Sequence, residues 1–221
     1  MLIAGIDEAG RGPCFGPMSL AIAVFEKDQE TYLKEIGVKD SKDLTPKKRD
    51  FLFDEILNKS VENYIINVTP IEINDLMTRE NLNEIEAIKV AELINLLEKN
   101  VDIVYIDSPD ATKGKYEKRI RQYLDNDHKN INIISEIKAD SKYVSCSAAS
   151  ILAKVSRDRE IEKIKKDFGD IGSGYPADPK TKKYLKDYVQ KNKKLPPFSR
   201  IFWSTCTKAL EEIDSTQSKL I

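Results

Sequence analysis

The sequence predicts an α/β fold: a mostly parallel sheet covered on its faces by helices, followed by a helical C-terminal third. Three observations carry this expectation. Short apolar runs rich in β-branched residues, such as Leu2-Ile3-Ala4 and Val101 to Asp107, alternate with amphipathic stretches of helical length. Two of these runs end in carboxylates, Asp7 and Asp107, and the rim at the carboxyl ends of strands is where α/β sheets carry their sites. From residue 141 onward helical patterning dominates. With 221 residues and 40% hydrophobic content the chain can bury such a core. The division expected is a sheet-bearing domain over 1–170 and a helical region over 171–221 packed on it.

In chain order, residues 2–6 read as a buried strand ended by a Gly-rich turn. Met18 to Phe25 reads as a second strand, close enough to pair antiparallel with the first. Lys39 to Asp43 is a polar loop. Thr45-Pro46 supplies an N-cap and a first-turn proline for a helix to about residue 58. Val61 to Thr69 is a strand. Asn81 to Asn100 is a helix whose Ala87, Val90, Ala91, Ile94 and Leu97 make one apolar face. Val101 to Asp107 is the fourth strand, Tyr116 to Leu124 a helix, and Ile131 to Ile137 a fifth strand. A long helix follows from Ser141 to about Asp167, burying Val144, Ala148, Ile151, Leu152 and Val155. Beyond the loop Gly172 to Pro176, helices are expected over 179–191 and 200–213, with a frayed polar tail from Asp214.

Composition narrows the chemistry. No apolar run approaches the roughly 20 residues of a membrane helix, and the acidic start MLIAGIDEAG is unlike a signal peptide. A soluble, cytoplasmic protein without a membrane partner is expected. The three cysteines, Cys14, Cys146 and Cys206, form no CxxC pair, so neither a zinc site nor a disulfide framework is indicated. The single histidine, His128, lies in a polar stretch and reads as a solvated loop residue, which argues against a histidine triad. Carboxylates remain. Basic and acidic residues nearly cancel overall, but Asp178 to Arg200 holds eight basic residues against two acidic ones, a local excess suited to a polyanion or simply to a solvated face.

Asp7, Asp107 and Asp140 each follow an apolar, strand-like segment. Strands one and four would be neighbours, bringing these acids to one rim, where carboxylates repel unless cations lie between them. Hard oxygen donors without His or Cys select Mg2+ or Mn2+. Asp7 and Glu8 would point to opposite faces of an ideal strand, so their convergence requires a bend at Glu8. The segment Gly10-Arg11-Gly12 is not a P-loop; its glycines let backbone approach a ligand closely or make a simple turn. Small residues at Ser145, Ser147, Ala148, Ala149 and Ser150 suit either a phosphate at a helix N-terminus or tight packing.

Six blocks then resemble a known family in order: GIDEAGRGPCFGPM (5–18), DSKDLT (40–45), YIDSPD (105–110), KADSKYVSCSAASILAKVSRD (138–158), GSGYPADP (172–179) and PPFSRIFW (196–203). Together they resemble the type 2 ribonucleases H, in the archaeal form with its longer helical C-terminus. The resemblance implies a ribonuclease H-like mixed five-stranded sheet flanked by helices, with a catalytic domain and a C-terminal substrate-binding region. It implies that Asp7, Glu8, Asp107 and Asp140 are the acidic metal-binding and catalytic quartet. It implies that Gly10, Arg11, Gly12 and Tyr175 recognise the ribose at an RNA–DNA junction, where only a 2′-OH tells the sugars apart. In the family pattern Lys42, Lys142 and Ser147 are phosphate contacts. The expected substrates are RNA/DNA hybrids and duplex DNA containing single ribonucleotides, cut by two-metal-ion hydrolysis to 3′-hydroxyl and 5′-phosphate ends; a non-catalytic hybrid-binding module is the competing reading. The extra N-terminal domain of type 3 relatives is expected to be absent, and the chain is expected to be a monomer. Gln217-Ser218-Lys219-Leu220 starts like a sliding-clamp motif but lacks the two aromatic residues that should follow; a clamp is the protein partner this tail suggests.

Overall fold

The structure, a computed structural model, describes residues 1–110, 112 and 114–217, with side chains described as far as Glu212. Five strands form one sheet: β1 (Leu2–Ala9), β2 (Met18–Glu26), β3 (Glu62–Val68), β4 (Ile103–Asp107) and β5 (Asn132–Glu136), in the spatial order β3-β2-β1-β4-β5. β2 runs antiparallel to β1, whereas β4 is parallel to β1 and β5 parallel to β4. The sheet is therefore mixed and five-stranded, and helices flank it, as the resemblance implied.

The helices among the described residues are α1 (Gln29–Glu35), α2 (Pro46–Lys59), α3 (Pro70–Leu76), α4 (Leu82–Asn95), α5 (Lys115–Arg121), α6 (Val144–Phe168), α7 (Pro179–Asn192) and α8 (Ser204–Gln217). Their starts are written in the sequence. Thr45, Thr69, Asn81 and Asp178 each accept a hydrogen bond from an amide of the first turn, and three of these caps precede a proline, which has no N–H to leave unpaired.

Several boundaries differ from expectation for identifiable reasons. α4 stops at Asn95, not Asn100, because the Glu62 carboxylate takes the amides of Glu98 and Lys99, at 2.8 and 3.2 Å, away from any helical partner. α3 repeats the Thr-Pro signal of α2 at Thr69-Pro70 and was hidden behind the strand that ends there. α8 begins four residues later than expected and continues to Gln217, so the tail is helical where it was expected to fray; the remainder of the clamp-like segment, Ser218 to Leu220, lies outside the described residues. His128 is half-buried and not a free loop residue: its ring nitrogens contact the Asp125 carboxylate at 2.7 Å and the Leu97 carbonyl at 3.1 Å, stapling a loop.

The chain divides into two compact units drawn from non-contiguous stretches. The first comprises Met1–Ala9, Ser19–Asn67 and Asn81–Ser156; the second comprises Gly10–Met18, Val68–Glu80 and Arg157–Ile221. The first holds the sheet and a core around Ile3, Phe25, Leu52, Tyr105 and Ile151. Its tightest approach is at Gly5, where a Cβ would lie 2.1 Å from the Ser145 backbone and 2.3 Å from the Cys146 nitrogen. The small residues opening α6 are buried, which suits the tight-packing alternative. The second unit has its own core of Cys14, Phe15, Ile161, Ile171, Leu185 and Phe198. Within it the segment after Gly12 is strapped down by backbone bonds: the Cys14 and Phe15 amides donate to Gly174, and the Arg200 amide donates to Cys14. No helix among the described residues is long and apolar enough to cross a membrane.

Candidate active site

The site of the first unit grows out of an uneven sheet edge. β1 pairs with β4 only as far as Ile6–Ile106, but with β2 as far as Ala9–Ser19. β1 thus runs on through Asp7 and Glu8 instead of ending at residue 6, and the expected bend at Glu8 is replaced by a continuous strand. The carboxylates converge by another route. β4 no longer pairs beyond Ile6, and the Glu8 N–H donates instead to the Asp7 side chain at 2.8 Å, folding that carboxylate back along its own strand. Asp107 ends β4, opposite Glu136 of β5, and its Oδ1 accepts the Ala139 N–H at 2.8 Å. One oxygen from each of Asp7, Glu8 and Asp107 lies within 4.8 Å of the other two.

Asp140 is not part of that close group. It sits in a single helical turn, Ala139–Ser141, entered through Lys138 at a left-handed φ of 57°. Its carboxylate is buried and feels the charges of Asp40 and Asp107. Ser147, expected at a phosphate, is buried on α6 and donates its hydroxyl to the Asp140 carbonyl, so in this structure it supports the turn. Lys142 pairs with Glu136 at 2.6 Å. Lys42 lies in the turn Ser41–Asp43, capped by Asp40, and the buried Ser41 hydroxyl bonds Ser150 of α6 at 2.8 Å.

Electrostatics mark the cluster as short of positive charge. Burial, then the neighbouring carboxylates Glu8 and Asp107, hold Asp7 well above the usual carboxylate range. Burial also raises Asp107, against the pull of the Ala139 amide and Lys42. Asp140 is raised by burial, Asp40 and Asp107. Burial alone would depress Lys42, but Asp40, Asp140, Asp7 and Glu8 outweigh it, and the ammonium is held above its ordinary value. An all-oxygen donor set whose members resist ionising together fits a hard divalent cation.

The second unit holds the other sequence-selected residues. Gly10 is buried with φ +86°, and a Cβ there would meet the Arg157 side chain at 2.3 Å. Gly12 is exposed, and a Cβ on it would lie 3.8 Å from the Tyr175 ring. Tyr175 is 40% exposed, with the Arg157 guanidinium 5.2 Å from its ring centroid. Arg157 and Arg200 are both buried, although neither was singled out from the sequence. Arg200 was counted with the basic surface of 178–200, and burial removes it from that surface. Asp40 was missed as well, although it lay within the DSKDLT block.

The chain is similar to known proteins along nearly its whole length. The family model described as Ribonuclease HII matches residues 4–206. A ribonuclease HII of Thermococcus onnurineus is 46% identical over 220 residues, covering 99% of this chain and 94% of the relative. The crystal structure of ribonuclease H2 from Pyrococcus horikoshii OT3 superposes with a TM-score of 0.90 at 42% identity, covering 97% of this chain and 99% of that one. The ribonuclease HII solved as a PCNA complex from Archaeoglobus fulgidus gives 0.83 at 36% identity, covering 92% and 96%. With the mixed sheet, the strand-end carboxylates and matches along nearly the whole length in agreement, the chain belongs to the ribonuclease HII family and is an endonuclease of the ribonuclease H type.

Proposed function

We propose that the protein cleaves the RNA strand of RNA/DNA hybrids and single ribonucleotides embedded in duplex DNA, in the cytoplasm, leaving 3′-hydroxyl and 5′-phosphate ends. The observation that carries the proposal is the convergence of Asp7, Glu8 and Asp107 oxygens within 4.8 Å at the uneven edge of β1 and β4. These three, with Asp140 completing the quartet, would hold Mg2+ or Mn2+. A pair of such ions would supply a water of lowered pKa and positive charge for the departing oxygen. Lys42, held charged by the surrounding acids, suits a scissile phosphate, and Lys142 a neighbouring one once released from Glu136.

Residues 1–170 would carry the chemistry and 171–221 would hold the duplex backbone through the lysines of α7. Gly10, Arg11 and Gly12 with Tyr175 would select the ribose, the loop through backbone groups and the tyrosine by stacking on a sugar. The deciding experiment is cleavage of a DNA duplex carrying one ribonucleotide, with Mg2+ and Mn2+ tested separately, by the parent and by Asp7→Asn. Metal-dependent cutting by the parent and none by the variant is expected. Binding of hybrid without cutting under any metal would establish the non-catalytic module instead. A sliding clamp is the protein partner to test, because the related Archaeoglobus fulgidus chain was solved with PCNA; clamp capture unaffected by deleting residues 217–221 would remove the tail from that role.

A further inference from the structure

Arg200 has no exposed surface, and its guanidinium is directed at backbone. Nη2 donates to the Gly10 carbonyl at 2.6 Å, Nη1 to the Arg11 carbonyl at 3.0 Å and Nε to the Gly16 carbonyl at 3.0 Å. Three residues on, the Trp203 indole N–H donates to the Gly12 carbonyl at 3.0 Å, and the Arg200 guanidinium lies 5.0 Å from the Trp203 ring centroid. Three consecutive carbonyls, those of Gly10, Arg11 and Gly12, are therefore held by two stacked side chains of one short segment.

Peptide geometry makes this consequential. In a trans peptide the C=O of one residue and the N–H of the next point in opposite directions, and no cis peptide is present among the described residues. Holding the Gly10 and Arg11 carbonyls toward Arg200 turns the Arg11 and Gly12 N–H groups away from it. Holding the Gly12 carbonyl exposes no further donor, because the next residue is Pro13. The Arg11 and Gly12 N–H groups therefore point to the side of the loop opposite Arg200, an orientation suited to an acceptor oxygen.

We propose that Arg200, assisted by Trp203, is the positioning residue that sets the Gly10-Arg11-Gly12 loop donor-side out and so fixes its preference for ribose. The proposal rests on the reading of that loop as the ribose-selecting element. Arginine suits the task because its planar fork presents several donors in fixed directions, whereas a lysine ammonium is a flexible point charge. Without the fork, the peptides at 10–11 and 11–12 are free to turn a carbonyl toward the substrate, and a sugar oxygen then meets an acceptor.

The test compares two duplexes that differ at one residue, ribose in one and 2′-deoxyribose in the other, with binding read by fluorescence anisotropy in an Asp7→Asn background to prevent turnover. Arg200→Gln should reduce the ribose preference about tenfold, the equivalent of one lost hydrogen bond to a charged group, and leave affinity for the all-deoxy duplex unchanged. Arg200→Lys should restore part of the preference. Trp203→Phe, which removes one donor and keeps an aromatic ring, should reduce it about threefold. A preference that survives both Arg200→Gln and Trp203→Phe overturns the positioning role, as does an equal fall in both affinities, which would signal only a damaged fold. Should Arg200→Gln fail to fold, an undiminished preference in Trp203→Phe overturns it alone. If the parent shows no ribose preference, the reading of the loop fails first and the proposal with it.

Discussion

Replacing Asp7 by asparagine should stabilise the metal-free protein and remove its stabilisation by divalent cations. Asp7 is 6% exposed, and its oxygen lies within 4.8 Å of oxygens on Glu8 and Asp107. At that separation two unit charges repel by about 3.5 kcal/mol for an effective dielectric constant near 20, so full ionisation of all three would set about 7 kcal/mol against Asp7. The carboxyl can escape by binding a proton. For an ordinary aspartate that costs about 4 kcal/mol at pH 7, which caps the penalty. Lys42 offsets part of it.

Asparagine keeps an Oδ1 to accept the Glu8 amide and loses only the charge, so a gain of about 2–4 kcal/mol is expected, or about 5–15 °C in melting temperature for a chain of this size. Because the folded-state pKa of Asp7 is raised, its destabilising effect is absent below the ordinary carboxylate range and grows as pH rises toward the folded value. The advantage of the variant should therefore be larger at pH 8 than at pH 5. Thermal unfolding followed by circular dichroism, in EDTA and in Mg2+ at both pH values, measures all of this. A variant that melts at or below the parent in EDTA at pH 8, or that keeps the Mg2+-dependent rise, would refute the charge-crowding argument.

Three further outcomes are expected. Gly5→Ala should lower the melting temperature by about 5–10 °C, since the new methyl would meet Ser145 and Cys146 backbone that cannot rotate aside; a loss under 1 °C would show that α6 yields freely. Lys42→Met should move the acid limb of the pH–rate profile upward, because the lysine lowers Asp107 and Asp140, which on the proposed reading would have to ionise to hold metal; a downward or absent shift at fixed Mg2+ contradicts this. Asp178, held down to about 2 chiefly by the Ser173 amide, caps α7; its contribution is present above pH 4 and lost as pH falls through 2. Asp178→Ala should therefore cost about 1 kcal/mol in urea unfolding at pH 7 and clearly less at pH 2.

The sheet was legible because strand-forming runs carry their signature locally, and Asp7 and Asp107 could be selected because each closes such a run. The manner of their convergence was not. It depends on β4 ceasing to pair at Ile6, a fact about the neighbouring strand, and on the Asp7 side chain taking the amide of Glu8. Arg200 was less legible still. Its partners Gly10 and Arg11 lie 190 and 189 positions earlier, and within PPFSRIFW nothing distinguishes a buried arginine from a surface cation. Only its apolar flanks, Phe198 and Ile201-Phe202-Trp203, hinted at an interior place. Arg157 lies off the apolar stripe of α6 and gave no pattern signal.

The two units handle buried charge in opposite ways, and this bears on how their roles can be separated. In the first, Asp7, Glu8 and Asp107 crowd together with Lys42 as a partial counter-charge, so on the proposed reading cations from solution would complete the arrangement, which should then loosen or tighten with them. In the second, Arg157 donates to the Ser173 carbonyl and Arg200 to the Gly10, Arg11 and Gly16 carbonyls, so dipoles of the chain itself solvate both cations. Chelation removes the partner of the first set and leaves the partners of the second untouched. The Gly10-Arg11-Gly12 loop should then keep its orientation without metal, and ribose preference in binding should persist in EDTA and in Asp7→Asn while cleavage vanishes. Loss of that preference on chelation would mean that the loop takes its shape from the metal cluster and not from Arg200.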